Sequence, residues 1–237
     1  MNKNFQKLLL PLALIALATL ACGLMPSLPS LPGTSGGDGG DTPSIPSGGG
    51  IIFNSKLLSD DFSGKQTWGT GTDADSSVEY VNGGLQMVVF TPQYFVYSTP
   101  NTERYENIHI EVTVKNDSTD NTTGFGIMCH QQVTRDAFYY FGVAPSGGYT
   151  IAKAAIARDD VNLTTGTSDL IPTDAESYRI GVDCGNGKLA LYVNGQMIDS
   201  ASDSDYTKGG VGLFTWSGDQ NAGANVTFDD FVMTPLE

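Results

Sequence analysis

From residue 57 onward the chain alternates apolar and polar residues in short runs, and the runs end at clusters of Gly, Asn and Ser. A period of two is what a strand with one buried face requires. The runs predict strands near Leu57–Phe62, Gly84–Phe90, Tyr94–Ser98, Ile108–Lys115, Thr123–Gln131 and Ala137–Ala144. Others fall near Tyr149–Ile156, Tyr178–Cys184, Lys188–Val193, Gln196–Ala201, Gly210–Trp216 and Asn225–Met233. The clearest stretch is Tyr178–Asp199, where Tyr178, Ile180, Val182 and Cys184 share one face, as do Leu189, Leu191 and Val193. Gly185-Asn186-Gly187 and Asn194-Gly195 reverse the chain there, because Asn-Gly supplies the positive φ angles of a tight hairpin turn. A helix of one or two turns has room in Thr165–Glu176. About a dozen strands with such turns predict an all-β fold of two packed antiparallel sheets.

The first fifty residues are of another kind. Lys3 and Lys7 precede an apolar run, Leu8–Leu20, that is short for a membrane span, so residues 1–21 read as a signal peptide. The following Thr19-Leu20-Ala21-Cys22-Gly23 resembles the bacterial lipobox, which implies that Cys22 is acylated and anchors the chain to the membrane on its extracytoplasmic side. Plain secretion and an uncleaved anchor are the alternatives. Residues 22–50 are rich in Pro, Gly and Ser, with too little apolar material to offset the entropy of folding, so they read as a disordered linker. Coiled, it would span about 30 Å, and with its proline segments extended nearer ~90 Å. Residues 51–237 then form one domain.

Charge narrows the partners. Without Lys3 and Lys7 the chain has ten basic residues against 26 acidic ones, a net charge of −16. Ten scattered cations cannot track a phosphate backbone, so nucleic acid is excluded as a ligand. Most of the carboxylates read as a solvated surface.

With Cys22 given to lipid, Cys129 and Cys184 remain. Both fall on the apolar face of their strands, in a chain addressed to an oxidising space, which predicts a disulfide. On the chain-entropy model it would stabilise the fold by ~4 kcal/mol. Two buried free thiols are the alternative.

Several segments together resemble the concanavalin A-like lectin and glucanase superfamily, in particular the laminin-G-like and 3-keto-disaccharide-hydrolase-like jelly rolls of bacterial surface lipoproteins. They are Leu58-Ser59-Asp60-Asp61-Phe62 with Trp68, Gly83-Gly84-Leu85-Gln86-Met87, and Phe125-Gly126-Ile127-Met128-Cys129. Leu189–Gly195, Gly210-Val211-Gly212-Leu213-Phe214 and the closing Phe228-Asp229-Asp230-Phe231 complete the set. The resemblance implies a jelly-roll sandwich whose first and last strands pair. It does not choose an activity, because the fold hosts lectins, hydrolases and adhesion modules alike.

The glucanases of that superfamily carry three carboxylates at alternate positions of one strand. The nearest match is Asn107-Ile108-His109-Ile110-Glu111, in which only Glu111 is acidic, and a lone carboxylate cannot be both nucleophile and acid. No Ser elbow or His-Glu helix motif is present, and two histidines are too few for a histidine-rich zinc site. The reading leans away from an enzyme.

A binding site would need rings and polar groups across one sheet face. Phe138-Tyr139-Tyr140-Phe141 puts rings on both faces of a strand, Met128, His130 and Gln132 lie opposite Cys129, and Trp216 ends another strand. The candidate ligand-binding residues are therefore His130, Gln132, Tyr140 and Trp216. Sheet packing is the alternative for the two rings, and an ordinary solvated strand face for His130 and Gln132. Asp60, Asp61, Asp229 and Asp230 would meet if the terminal strands pair, which makes calcium the candidate cofactor. Alternation sends one Asp of each pair to the opposite face, and solvent-facing acids that discourage edge aggregation are the alternative. The reading is a lectin-like module that binds a glycan or polysaccharide at the cell surface. A protein-interaction or cell-envelope assembly module, or a divergent glycoside-processing enzyme, are the other readings.

Overall fold

The computed structural model describes residues 56–64, 66–100, 102–132, 137–154, 158–173, 175–218 and 223–236. The signal segment, Cys22 and the linker lie outside them. The chain begins with β1 (Leu58–Asp60), β2 (Gly71–Thr72), β3 (Ser76–Val81), β4 (Gly84–Val89) and β5 (Phe95–Ser98). There follow β6 (Ile108–Asn116), β7 (Gly124–Gln132), β8 (Ala137–Val143), β9 (Gly148–Ala154) and β10 (Val161–Thr167). The last five are β11 (Ser177–Gly185), β12 (Lys188–Val193), β13 (Gln196–Ser202), β14 (Gly210–Trp216) and β15 (Ala224–Pro235). A nine-stranded sheet runs β13-β12-β11-β6-β15-β4-β3-β2, with β1 on β15, and a six-stranded sheet runs β10-β9-β8-β7-β14-β5. This is the expected all-β antiparallel sandwich. Among the described residues there is no helix: the start of Thr165–Glu176 belongs to β10, and its other described residues are turn, bend or irregular.

The inner faces follow from alternation. Ile108, Ile110, Val112 and Val114 of β6 and Tyr178, Ile180, Val182 and Cys184 of β11 are buried against Phe125, Ile127 and Cys129 of β7 and Tyr139, Phe141 and Val143 of β8. Each large apolar side chain so enclosed contributes roughly 1.5–3 kcal/mol. Cys129 and Cys184 form a disulfide, their Cα atoms 6.6 Å apart, so a strand of each sheet is tied to the other across the core.

β1 pairs with β15, Asp60 opposite Phe231. Strict alternation would put only one of Phe228 and Phe231 inside, yet both are fully buried. The register of β15 against β6 shifts between Asp229 and Val232, and Asp230 sits at φ 50°. This bulge inserts the extra residue that returns the phenylalanines to one face. It also leaves Asp229 half-buried and Asp230 exposed, so neither enters the core, unlike the expectation from alternation.

Candidate functional site

The outer face of the six-stranded sheet is not polar. Register places Phe95, Trp216 and Gly124 in one row, and Tyr97, Phe214, Gly126 and Gly142 in the next. Gly212, Met128, Tyr140 and Ala152 make a third row, and Phe138 pairs with Ala154 beyond it. A Cβ on Gly142 would lie 3.3 Å from Cζ of Phe214, and one on Gly124 would lie 3.5 Å from Cβ of Trp216. The glycines are thus the floor over which these side chains lie.

The rings form two tiers. Met128, Phe138 and Phe214 are buried although they point away from the core, and Phe95 and Tyr140 pack on them. Phe95 stacks on Phe214 with centroids 4.8 Å apart and planes at 21°, and Tyr140 meets Phe214 edge-on at 5.9 Å. Tyr97 approaches Phe138 at 6.4 Å and is 39% exposed. The lower tier makes the upper tier rigid, because each ring is held by offset or edge contacts with its neighbours. The Tyr140 hydroxyl donates to Oδ2 of Asp160 at 2.9 Å. Burial, and then the Asp160 charge, push the Tyr140 phenol well above its ordinary value. Burial raises Asp160 too, followed by the Asp159 charge, although the Tyr140 bond opposes it.

Of the four residues expected to bind ligand, the structure brings Tyr140 and Trp216 to this face. His130 and Gln132 lie elsewhere. The register of β7 against β8 shifts between Cys129 and Gln132, and His130 adopts φ 52°. That bulge turns the imidazole out of the solvated face predicted by alternation and buries it, 2% exposed. Nδ1 lies 2.8 Å from the Tyr206 carbonyl and Nε2 lies 2.6 Å from that of Glu106, so the ring ties two loops together. The Gln132 amide donates to the carbonyls of His130 and Lys208 and accepts from Arg104, so it is bound into the same loops. Gly209 fits there because a Cβ would fall 2.2 Å from the His130 carbonyl carbon. Phe95, Tyr97 and Phe214 were not among the candidates. Their signal was Phe95-Val96-Tyr97 and Phe214-Thr215-Trp216, rings at the spacing of two that shares a face.

The remaining candidates fall on the other sheet. Oδ1 of Asp60 accepts the Phe62 amide at 2.8 Å and Oδ2 accepts the indole N–H of Trp68 at 3.1 Å. Trp68 is buried between Phe62 and Phe231, so Asp60 satisfies the one polar atom of that ring. Asp61 is capped by Ser63, and Asp229 accepts the amide of Asp230. Burial raises the Asp229 carboxyl above its ordinary value, and the Asp230 and Asp61 charges add to this. No three of the four aspartates converge on one point. Among the described residues the one group of His, Cys, Asp or Glu atoms close enough to share an ion is Cys129, His130 and Cys184, and both cysteines are in the disulfide. Glu111 and His109, the remnant of the alternating-carboxylate pattern, lie on the outer face of the nine-stranded sheet, away from the rings.

A polar cleft of about 350 Å³ opens between the Gly185–Lys188 turn and the Asp203–Thr207 loop, with Glu106, Asn107 and His130 behind it. Its one ring is that of Tyr206, and its imidazole, His130, is buried.

No protein-family model and no curated protein matches the sequence. Solved structures do match in fold. Carbohydrate-binding module CBM66 from Bacillus subtilis superposes with a TM-score of 0.56 at 16% identity, over 71% of this chain and 95% of that one. A Bacillus subtilis protein of unknown function with a galectin-like fold gives 0.59 at 12% identity, over 76% and 96%. A Bacillus licheniformis β-glucanase gives 0.53 at 13% identity, over 76% and 98%. With the pairing of its terminal strands and its two antiparallel sheets, the domain is a jelly-roll sandwich of the concanavalin A-like fold.

Proposed function

We propose that this domain is a non-catalytic carbohydrate-binding module that takes a glycan on the outer face of its six-stranded sheet. The observation that carries this reading is the two-tier ring face: six aromatic side chains and Met128 gathered outside the core of a strongly acidic domain. Apolar rings there reduce solubility unless something covers them. The C–H faces of a sugar ring suit Phe95, Tyr97, Tyr140 and Trp216, with Asp160 and the Tyr140 hydroxyl beside them for sugar hydroxyls. The similarity in fold to a carbohydrate-binding module and to a β-glucanase supports the same reading. The lipid on Cys22 and the linker would display the domain outside the cell.

Affinity electrophoresis of residues 51–237 through gels containing a panel of polysaccharides tests it, with calcium and with chelator. Retardation by one polysaccharide that is lost in Tyr140→Ala or Trp216→Ala is the expected result. Unchanged mobility across a broad panel would refute glycan binding and leave a protein as the partner of the ring face.

A further inference from the structure

The outer face of the nine-stranded sheet carries a second constellation. Across β6, β11 and β12, Asp183 lies opposite His109, Gly181 lies opposite both Glu111 and Tyr192, and Arg179 lies opposite Thr113. A Cβ on Gly181 would lie 3.3 Å from Cβ of Tyr192, 3.6 Å from Cε1 of His109 and 3.8 Å from Cγ of Glu111. Three polar side chains therefore wall a shallow depression whose floor is a bare backbone in the middle of a paired strand. A mid-strand glycine weakens a sheet, so its presence here is a cost with a local consequence, which is space.

Each wall residue is fixed by its far atom. The Tyr192 hydroxyl donates to Oδ2 of Asp183 at 2.7 Å, and Oδ1 of Asp183 lies 2.6 Å from Nδ1 of His109. That contact makes Nδ1 the donor and leaves Nε2 as the acceptor of the neutral ring. Arg179 donates to Oε2 of Glu111 at 3.1 Å, to the Thr113 hydroxyl and to the Asp230 carbonyl, which immobilises the carboxylate. What remains is Nε2 of His109 and Oε1 of Glu111, 3.6 Å apart, beyond hydrogen-bond length and within ion-pair reach only when the ring is protonated. Among the described residues neither has a hydrogen-bond partner. Their side chains are 31% and 39% exposed, so a ligand can reach both.

Two fixed acceptors side by side over open space fit two adjacent hydroxyl donors. Tyr192, whose ring stands at 71° to that of His109, gives the depression a flat wall for a sugar C–H face. Anionic ligands are disfavoured by Glu111, Asp183 and the acidity of the whole chain. We propose that His109 Nε2 and Glu111 Oε1, above Gly181, form a second saccharide subsite that binds the vicinal hydroxyl pair of a neutral sugar. It lies on the sheet opposite the ring face, so the domain presents two independent sites and can bridge two glycan strands.

The test follows the His109 ring signals by NMR in the chain after the signal segment, titrated with methyl glycosides bearing vicinal diols and with deoxy analogues lacking one hydroxyl. Expected are a saturable shift with a dissociation constant in the millimolar range, at least tenfold weaker binding in Glu111→Gln and in Gly181→Val, and unchanged titration in Tyr140→Ala. Should Gly181→Val fail to fold, Glu111→Gln carries the comparison. No saturable shift up to about 100 mM of any glycoside, equal shifts with the deoxy analogues, or a response only to methylamine would overturn the subsite. Loss of the shift in Tyr140→Ala would overturn its independence. Because the ring face is read separately by gel retardation, failure of one site is distinguishable from failure of the other.

Discussion

Tyr140 donates its hydroxyl to Asp160 while its ring stands edge-on to Phe214, so one side chain links the lower tier of rings to a carboxylate beside them. Two substitutions separate these roles. Tyr140→Phe keeps the ring and is expected to weaken glycan binding less than threefold, whereas Tyr140→Ala removes an anchor and is expected to weaken it at least tenfold, ~1.4 kcal/mol. Retardation constants from affinity gels give both. Equal losses in the two variants would move the binding energy from the ring to the hydroxyl.

The Cys129–Cys184 bond closes a loop with a sequence separation of 55 and joins the two sheets. Replacing both by serine, or unfolding under reductant, is expected to lower stability by about 4 kcal/mol, chiefly by freeing the unfolded chain. Urea midpoints of the oxidised, reduced and Cys129→Ser/Cys184→Ser forms measure it. A change below about 1 kcal/mol would mean that the native sheets are held without the covalent tie.

This bond was legible because its evidence is local: two cysteines on the apolar faces of alternating runs, in a chain whose first residues read as an export signal. The sandwich was legible for the same reason, since alternation and Asn-Gly turns are written residue by residue. Bulges are not. At His130 and at Asp230 one extra residue shifts the register, and everything beyond changes face. Only the partner strand reveals this, through residues far away in sequence such as Gly209, whose missing Cβ admits the His130 carbonyl. β10 escaped because Val161–Thr167 is an edge strand with a single apolar residue, Leu163, packed on the core and a bulge beside it, so it has no alternation to read. β3 escaped because Ser76 occupies a buried position that an apolar residue would have marked. The Gly181 depression needs three strands in register, and no single segment holds its residues.

The indole clamp is a stability prediction. Asp60→Ala leaves the Trp68 N–H buried without its acceptor and is expected to cost about 1–3 kcal/mol. Asp60→Asn retains an acceptor oxygen and is expected to cost less. If the two variants lose equal stability in urea, the bond to the indole is not what holds Trp68 in place.

Alkali is expected to unfold the domain through its buried phenols. Burial, then the bond to Asp183, push Tyr192 up to about 12, and burial with an aspartate bond raises Tyr139 and Tyr140 as well. A phenol raised in the folded state keeps its proton there while the unfolded chain gives it up near pH 10. Its stabilisation is therefore complete below about pH 10 and is lost as pH rises through the folded value. Urea midpoints should hold steady from pH 7 to 9.5 and fall by pH 11.5. Tyr192→Phe should fall less over that interval, and an identical decline would remove Tyr192 from the account.

At Asp229 the sign runs the other way for neutral solutions. Its carboxyl is raised by burial and by the Asp230 and Asp61 charges, so the folded state favours the protonated form. That preference stabilises below about pH 4, where the unfolded carboxyl also holds its proton, and it is lost as pH rises through the folded value. At pH 7 the ionised group is a net cost. Asp229→Asn keeps an oxygen to accept the Asp230 amide while removing one of three neighbouring charges, and is expected to raise the urea midpoint at pH 7 and leave it unchanged at pH 3. Calcium reverses the expectation: an ion held by Asp61, Asp229 and Asp230 would make the same variant less stable at pH 7, and only when calcium is present. Midpoints measured with calcium and with chelator distinguish the two, because a solvated carboxylate cluster responds to the substitution in the same direction in both.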